Sequence, residues 1–394
     1  MCIRDSNKYI YLDNASTTPL SKNVLNKINS TYKNYWSNSS STYKYGIRCA
    51  TYLEKIRLKI AKILNANTED IVFTSGSSES TSLVFSNLSD KYKCGRVVIS
   101  NVEHQATIIS ANKLKRKGWE IYKWPVNRDG IINISNINEV IKNNTNLVSL
   151  IWGQSEVGTL QPVQLVGTKC KELDILFHID GTQILSNGIF NWKELNCDLL
   201  SLSAHKFGGP KGIGLLLINS KSRLLLKNND ISLSQEYSIR QGTTPLPLIA
   251  GMYQSIKNIK GRIKFNSYNV EFENNKIVPL RKYFINKITN NPNIKITGSS
   301  TERLPNHISF LLFNKKLEPI KAYKVINYMS DNNVAISSGS ACSSSSGKHS
   351  LTLENMGYDS NQLYSNIRVS LGSMNKKSDI DRLFKLIQIC IKKF

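Results

Sequence analysis

The chain has 394 residues, of which 40% are hydrophobic and 20% charged, and its formal net charge is +24. This length favours two domains over a single simple core. An ordinary globular composition, without an apolar run of the roughly 20 residues that a membrane helix needs, excludes a membrane-spanning protein. The N-terminus has no apolar segment of the secretory type, so we expect a cytoplasmic protein.

The strong positive charge suggests nucleic-acid binding as one hypothesis. The lysines are nevertheless dispersed and accompany heavy use of Asn and Ile, as in proteins from AT-rich genomes. We therefore expect no direct nucleic-acid binding, while a general attraction to anionic partners such as tRNA stays open. The seven cysteines include no CxxC pair. The sequence thus predicts no metal site and a reducing compartment.

The first six residues, 1–6, match the translation of a common sequencing adapter. We therefore expect them to be an assembly artefact. Residues 7–20 are predicted to be an N-terminal arm that joins the smaller domain. Short apolar runs then alternate with amphipathic stretches. Strands are predicted at 71–74, 96–100, 120–124, 147–151, 175–179, 199–203 and 213–218, with helices at 105–117 and 163–172. This alternation predicts an α/β domain with a mostly parallel sheet at residues 21–260.

The pattern changes after a long helix that we predict at 245–264. Strands at 293–297, 306–312 and 367–370, followed by a closing helix at 379–392, predict a smaller α+β domain at residues 261–394. A low-complexity stretch at 337–346 lies in this second domain and contains Cys342.

Several predicted strands end in residues that carry chemistry. The strand at 199–203 leads directly into His205 and Lys206 and then into a turn rich in glycine and proline. Ligands of a parallel sheet bind beyond the carboxyl ends of its strands, and a desolvated lysine amine there forms Schiff bases readily. Taken alone, a His-Lys pair is more typical of a surface loop.

Three further strand ends extend this pattern. A buried Asp180 would keep a pyridine nitrogen protonated, or would only form a turn or cap a helix. Ser77 and Ser78 follow Gly76 and open a helix, which is typical of a phosphate cradle and equally of an ordinary N-cap. His104 would stack on an aromatic cofactor and move protons, or would have a structural role.

These four motifs, in this order and with Tyr11-Leu-Asp-Asn-Ala-Ser-Thr-Thr-Pro19 near the start, resemble a known family. It is the cysteine desulfurases of the NifS/IscS kind, group I, in the class V aminotransferase branch of fold-type I enzymes. The resemblance runs to about Leu371, nearly the whole chain. It implies pyridoxal 5'-phosphate as the cofactor, a homodimer, and conversion of L-cysteine to L-alanine. The sulfur would pass to an acceptor for iron–sulfur cluster or thiolated-tRNA synthesis, either a scaffold protein or a tRNA thiolase.

The resemblance also implies roles for the matching residues around the cofactor. Lys206 would form the Schiff base, Asp180 would pair with the pyridine nitrogen, and Gln183 would contact the ring hydroxyl. His104 would stack on the ring and help to move protons. The phosphate would be held by Gly76, Ser77, Ser78, Ser203 and His205 and, from the second subunit, by Thr243.

In the substrate site, the resemblance implies that Arg368 clamps the carboxylate of cysteine, a task that suits a bidentate guanidinium. Asn14 and Ser155 would lie nearby, and Ser155 stands where the family has an Asn. Cys342 would be the nucleophile, since a thiolate attacks sulfur and small flanking residues give it reach. The alternative for Cys342 is a free thiol in a loop without catalytic function.

Two other functions stay open. One is selenocysteine lyase or another class V activity, although an aminotransferase needs no nucleophilic thiol. The second is a weakened paralogue that acts as a sulfur-relay or tRNA-modification subunit, which the basic charge and Ser155 favour. Housekeeping members of the family continue past the position of Phe394 with a tail that docks the scaffold, so scaffold docking stays open as well.

Overall fold

The computed structural model describes residues 9–226, 235–265, 270–273, 275–339 and 349–394. Cys342 and the predicted artefact at 1–6 lie outside the described residues. The strands are β1 Ile10–Tyr11, β2 Ile71–Thr74, β3 Arg96–Ser100, β4 Glu120–Trp124, β5 Thr145–Ile151, β6 Leu176–Asp180, β7 Leu199–Ser203, β8 Gly214–Ile218, β9 Arg262–Phe265, β10 Val270–Glu273, β11 Ile294–Ile296, β12 His307–Leu312, β13 Val334–Ala335, β14 Ser337–Ser338 and β15 Asn366–Ser370.

The helices alternate with strands in the first part of the chain and carry apolar faces that cover them. They are α1 Lys22–Asn34, α2 Lys44–Leu64, α3 Ser77–Lys91, α4 Gln105–Arg116, α5 Ile137–Val140, α6 Val163–Glu172, α7 Ser220–Leu226, α8 Leu246–Asn258, α9 Val278–Ile288, α10 Ala322–Asp331, α11 Leu351–Asn355 and α12 Lys377–Lys393. No helix in these described ranges is long and apolar enough to cross a membrane.

The large sheet has seven strands in the order β2-β8-β7-β6-β5-β3-β4. Strand β8 runs antiparallel to both of its neighbours, and every other pair in the sheet is parallel. All residues of β2, β3, β7 and β8 are buried, as expected for strands covered by helices on both faces. The predicted α/β class with a mostly parallel sheet is therefore confirmed.

This topology places four chemically distinct strand ends along one edge. Strands β3, β5, β6 and β7 are consecutive in the sheet and run in one direction. Asp180 is the last residue of β6, and the segments that follow β3, β5 and β7 contain His104, Ser155 and Lys206. Because the carboxyl ends of parallel strands share an edge, residues far apart in the sequence become neighbours there.

A second core lies around an antiparallel sheet in the order β11-β12-β15-β14. Helices α9, α10 and α12 contribute Phe284, Met329 and Leu383 to it. The N-terminal arm joins the same core, because β1 pairs in parallel with β13 and Ile10 and Leu12 are buried there. The arm thus links the start of the chain to its last third.

The helix predicted at 245–264 is too long, because α8 ends at Asn258 and β9 follows. Tertiary hydrogen bonds explain the early end: Ile263 N donates to Ile189 O at 2.9 Å, and Ile189 N donates to Gly261 O at 2.9 Å. Strand β9 also pairs with β10 and buries Ile263 in the first core. These long-range partners outweigh the local helical pattern.

Candidate active site

Lys206 lies directly beyond the carboxyl end of β7, at the end of a short 3₁₀ helix that spans Ala204–Lys206. Its Nζ donates to the backbone carbonyl oxygens of Ala15 and Ser16, each at 2.8 Å. Both partners belong to the N-terminal arm, about 190 positions away in the sequence. The arm therefore crosses the sheet edge at the lysine amine.

The same arm contacts further predicted cofactor residues. The amide Nε2 of Gln183 donates to Ala15 O at 2.9 Å, so Gln183 and Lys206 share one carbonyl oxygen. Thr18 Oγ1 donates to His205 O at 2.8 Å, and Thr17 Oγ1 lies 3.2 Å from His205 Nδ1. Sequence reasoning placed only Asn14 of this arm in the site. The sequence signal for the other arm residues was the mainly polar run after Asn14. Its hydrophobic pattern has neither the period of a strand nor that of a helix.

Asp180 is buried, with 4% of its surface exposed, at the carboxyl end of β6. Its Oδ1 accepts hydrogen bonds from Thr182 N at 3.0 Å, from Thr182 Oγ1, and from Ser77 Oγ at 3.3 Å. No described residue donates to Oδ2. A buried carboxylate that is fixed through one oxygen and has the other available fits a pyridinium N–H donor.

The N-terminus of α3 forms a cup beside this carboxylate. Its N-cap is Gly76, which has no side chain to cap the first-turn N–H groups. A Cβ added at Gly76 would lie 3.3 Å from Ser203 Oγ, so the hydroxyl of Ser203 borders the same space. Ser78, the second residue of α3, is exposed. Uncapped amides and hydroxyl groups at a helix N-terminus fit a phosphate group.

His205 and His104 complete the predicted cofactor set. Burial lowers the pKa of His205 to about 4, so its ring is neutral at neutral pH. His104 is exposed and is the N-cap of α4, where its Nδ1 accepts a hydrogen bond from Ala106 N at 3.2 Å. The proton of a neutral His104 ring is therefore on Nε2. Its structural and chemical roles are compatible, because they use different ring nitrogens.

Glu103 is a residue of this edge that the sequence analysis missed. It is 6% exposed, and its Oε1 accepts from Ser100 Oγ at 2.6 Å and from Ile151 N at 2.8 Å. Burial raises its pKa to about 8, so the carboxyl group is mostly neutral at pH 7. At pH 7 the neighbouring Glu103 therefore does not place a full second negative charge beside the Asp180 carboxylate. The sequence signal that could have identified Glu103 was the presence of an acidic residue between a buried strand and His104.

His178 lies in β6 two residues before Asp180 and is completely buried. Its Nδ1 is 2.8 Å from Ser149 Oγ and its Nε2 is 2.8 Å from Ser201 Oγ, so the ring bridges β5 and β7. Burial lowers its pKa to about 4, against a weaker opposite effect of Asp180. The ring therefore stays neutral within the sheet.

The depressed pKa of His178 predicts a specific pH dependence of stability. Between pH 6.5 and 4 the unfolded chain binds this proton and the folded chain does not, so the contribution of His178 is complete above pH 6.5 and is lost on acidification. We expect His178→Gln to flatten the stability profile in that window by up to about 1.4 kcal/mol per pH unit. Urea unfolding at half-unit pH steps measures this slope.

The control for this prediction is Ser149→Ala, which removes one hydrogen-bond partner and keeps the titrating ring. It should lower stability at every pH but retain most of the slope between pH 6.5 and 4. Equal slopes in the wild type and in His178→Gln would contradict the prediction.

Arg368 lies in β15 and is 4% exposed. Its Nη1 donates to Ser155 O at 3.0 Å and its Nη2 to Asp13 Oδ1 at 2.8 Å. His307 Nε2 lies 3.2 Å from the same Ser155 oxygen. Two fixed partners hold the guanidinium plane, and each terminal nitrogen has a second N–H for a carboxylate. The structure thus brings Ser155 and Arg368 together, through the Ser155 backbone.

Asn14 lies in the same region but uses its side chain to anchor the arm. Its Nδ2 donates to Ser370 O at 2.9 Å, and Ser370 Oγ accepts from Ala15 N at 2.8 Å. A Cβ added at Gly372 would lie 2.5 Å from Asn14 Oδ1, so this glycine allows the close approach. Asn14 is therefore next to the candidate substrate arginine.

Thr243 is a predicted cofactor residue that does not lie at the end of a strand. It is exposed, in the segment between Arg240 and α8. Arg240 Nε donates to Glu79 Oε1 at 3.1 Å, which ties this segment to the first turn of α3. An exposed threonine near that cup is compatible with a role toward another subunit, which stays a prediction.

The chain is similar to proteins of one family over almost its whole length. The family model described as aminotransferase class V matches residues 10–383. The protein named cysteine desulfurase IscS of Buchnera aphidicola is 34% identical, covering 98% of this chain and 93% of that protein. The protein of the same name from Dictyoglomus turgidum is 32% identical, with 98% and 95% covered.

A solved structure described as a NifS-like protein supports the same relationship. It superposes with a TM-score of 0.83 at 25% identity, covering 97% of this chain and 99% of that one. Family model, relatives and fold agree with the resemblance inferred from the strand-end motifs. The chain belongs to the class V aminotransferase family and, within it, to the cysteine desulfurases.

Proposed function

We propose that this chain removes the sulfur atom of L-cysteine with the help of pyridoxal 5'-phosphate, releases L-alanine and leaves a persulfide on Cys342. The observation that carries the proposal is the convergence of Lys206, Asp180 and the N-terminus of α3 at one sheet edge. Family membership supports it, since the relatives named above are cysteine desulfurases. The individual residue roles stay predictions.

The donor set fits the cofactor part by part. Lys206 would bind its carbonyl carbon, Asp180 would accept from the ring nitrogen through Oδ2, and the α3 cup would hold its phosphate. Gln183, His104 and His205 would supply further contacts to the ring and the phosphate. When bound, pyridoxal phosphate would supply an electron sink for the carbon atoms of the amino acid.

The protein side chains would perform the remaining steps. Arg368 would bind the substrate carboxylate, with Asn14 and Ser155 beside it, and this contact would orient the sulfur. The amine of Lys206 would move the Cα proton, assisted by Nε2 of His104. The thiolate of Cys342 would attack the substrate sulfur, so that an S–S bond forms as the C–S bond breaks. The electron pair of the C–S bond would stay on the substrate Cβ, which takes up a proton, so that the products are one alanine and one persulfide.

A homodimer is part of this proposal, with Thr243 reaching the phosphate of the second subunit. An exposed apolar patch formed by Trp36, Tyr43, Tyr45 and Ile47 supports a subunit interface near the segment that contains Thr243. Trp36 stacks on Tyr45 with ring centroids 6.0 Å apart. Gln235 Nε2 donates to Ser40 Oγ at 3.0 Å, which joins the patch to the segment that leads to Thr243.

The persulfide would pass to an acceptor protein, either an iron–sulfur scaffold or a tRNA thiolase, in the cytoplasm. Direct nucleic-acid binding is not part of the proposal. The resemblance implies an Asn where this chain has Ser155, and Ser155 contacts Arg368 through its carbonyl oxygen rather than its side chain. Selenocysteine is accordingly the first alternative substrate, and a sulfur-relay role without turnover is the alternative from another class.

The test is production of sulfide and alanine from L-cysteine with a thiol reductant, on protein whose visible cofactor band has been measured. We expect equal amounts of both products, and no sulfide from Cys342→Ala, which should keep the band because it leaves the cofactor residues intact. Cys94→Ala is the matched control, since Cys94 is an exposed thiol in a distant part of the sequence. Wild-type sulfide release from Cys342→Ala would exclude this nucleophile.

A further inference from the structure

Glu156 is a buried acid that none of the predicted roles uses. It follows Ser155 directly and is 6% exposed. The turn that contains it is rigid, because Gln154 Oε1 accepts from Glu156 N at 2.5 Å and from Val157 N at 2.9 Å. Burial raises the pKa of the Glu156 carboxyl group. Such a group has a desolvation cost that only specific partners offset.

The partners of Glu156 lie on both sides of the segment 340–348. On the C-terminal side, Ser350 Oγ donates to Glu156 Oε1. The same hydroxyl accepts from Leu353 N at 3.0 Å and thereby caps α11. Gln154 Nε2 adds a second link from this turn to α11, through Thr352 Oγ1 at 3.2 Å.

On the N-terminal side, Gly339 packs directly on the Glu156 side chain. A Cβ added at Gly339 would lie 2.4 Å from Glu156 Cγ and 2.7 Å from its Oε1, closer than real Cβ contacts allow. It would also lie 2.3 Å from Asn366 Nδ2. Only glycine permits this approach, so the contact between residues 156 and 339 is specific to this pair of residues.

We infer that Glu156 is a positioning residue, which fixes Gly339 and Ser350, one on each side of the segment 340–348 that carries Cys342, against the turn that carries Ser155. One carboxyl group thus ties the ends of that segment to the residue whose carbonyl oxygen holds Arg368. The consequence of this contact rests on the proposed function: it would align the Cys342 thiol with a substrate bound by Arg368. Loss of the carboxyl group should therefore impair sulfur transfer more than substrate binding.

The experiment compares the holoenzyme with three variants, Glu156→Ala, Glu156→Gln and Asp70→Asn. The amide of Gln keeps an oxygen that accepts from Ser350, so it is the conservative replacement. Asp70 is a buried carboxylate with hydrogen-bonded partners, and it directly precedes β2, at the end of that strand away from α3. Asp70→Asn therefore controls for the loss of a buried acid outside the site. Measurements are kcat and KM for sulfide release, the change in visible absorbance on adding L-cysteine, and alkylation of Cys342 by iodoacetamide. Exposed Cys94 provides the internal reference rate.

For Glu156→Ala we expect kcat to fall at least about tenfold, KM to stay within about threefold, and the absorbance change to persist. Cys342 should be alkylated at least about threefold faster relative to Cys94, because the ends of its segment are released. Glu156→Gln and Asp70→Asn should both stay near wild type. A rise in KM as large as the fall in kcat would overturn the inference. An unchanged ratio of Cys342 to Cys94 alkylation would overturn it as well.

Two further comparisons keep the result decisive. If Glu156→Ala does not fold, Gly339→Ala tests the same contact with the carboxyl group present, because the added methyl group must displace it. Its kcat and alkylation ratio should change as above, and wild-type values would overturn the inference. If the wild type releases no sulfide, the proposed function fails, whereas the alkylation ratios still decide whether Glu156 fixes the segment.

Discussion

Replacement of Lys206 by alanine should reduce sulfide release from L-cysteine by about 10³-fold or more. In the proposed function the amine would have two tasks, because it would bind the cofactor covalently and move the substrate proton, and each task would contribute orders of magnitude to the rate. Its position supports both tasks: it lies beyond β7, and backbone carbonyl oxygens of the arm hold it at 2.8 Å. Turnover is measured as sulfide and alanine, and the covalent bond by the visible band and by mass spectrometry after borohydride reduction.

The matched control is Lys211→Ala, which removes an exposed lysine of the same Gly- and Pro-rich turn. It should keep the visible band and most of the activity. Added methylamine should restore part of the proton-transfer rate in Lys206→Ala, because a free amine can occupy the space that the side chain leaves. Full activity of Lys206→Ala, or loss of activity in both variants, would contradict the assignment of Lys206.

The second large effect concerns stability, at the buried ion pair between Arg57 and Glu236. Both side chains are at most 3% exposed, and they form two hydrogen bonds of 2.9 and 3.0 Å. Glu236 Oε2 also accepts from Phe73 N at 2.8 Å, and Arg57 Nη1 donates to Ile71 O at 2.7 Å. The pair therefore connects α2, β2 and the segment that precedes Arg240.

We expect Arg57→Met to lower the free energy of unfolding by about 3–5 kcal/mol, because it leaves the Glu236 carboxylate buried without its counter-ion. The double variant Arg57→Met/Glu236→Gln should recover much of this loss, since it removes the charge and keeps an acceptor for Phe73 N. Urea unfolding monitored by tryptophan fluorescence measures the effect, as Trp124 and Trp152 are fully buried in the first core.

The control is Lys221→Met, which removes one partner of the exposed ion pair with Asp174 and should change stability by less than about 1 kcal/mol. A loss in Arg57→Met that is no larger than this control would contradict the prediction. Glu236, Tyr237 and the following Ser238 have positive φ values of 42°, 59° and 64°. Such a backbone is costly for non-glycine residues, so Arg57→Met should also loosen the segment that leads to Thr243.

The sequence by itself determined the elements and the chemistry of the strand ends. Periodicity is local, so the alternation of buried strands and amphipathic helices predicted the α/β class and all seven strands of the large sheet. The same locality located Lys206, Asp180, His104 and the N-terminus of α3, because each lies at the end of a strand or within a few residues after it. A parallel sheet then guarantees that such ends share an edge. The division at residue 260 and the role of Cys342 stay predictions.

Only the tertiary structure decided which distant residues complete the site. Ala15 and Ser16 contact Lys206 through backbone carbonyl oxygens, which no side-chain pattern encodes. Folding buries Glu103 and thereby raises its pKa to about 8, an effect that its sequence neighbours do not reveal. The end of α8 at Asn258 depends on hydrogen bonds to a segment about 70 residues earlier. These features depend on contacts between segments far apart in the chain, and local propensity carries no information about such contacts.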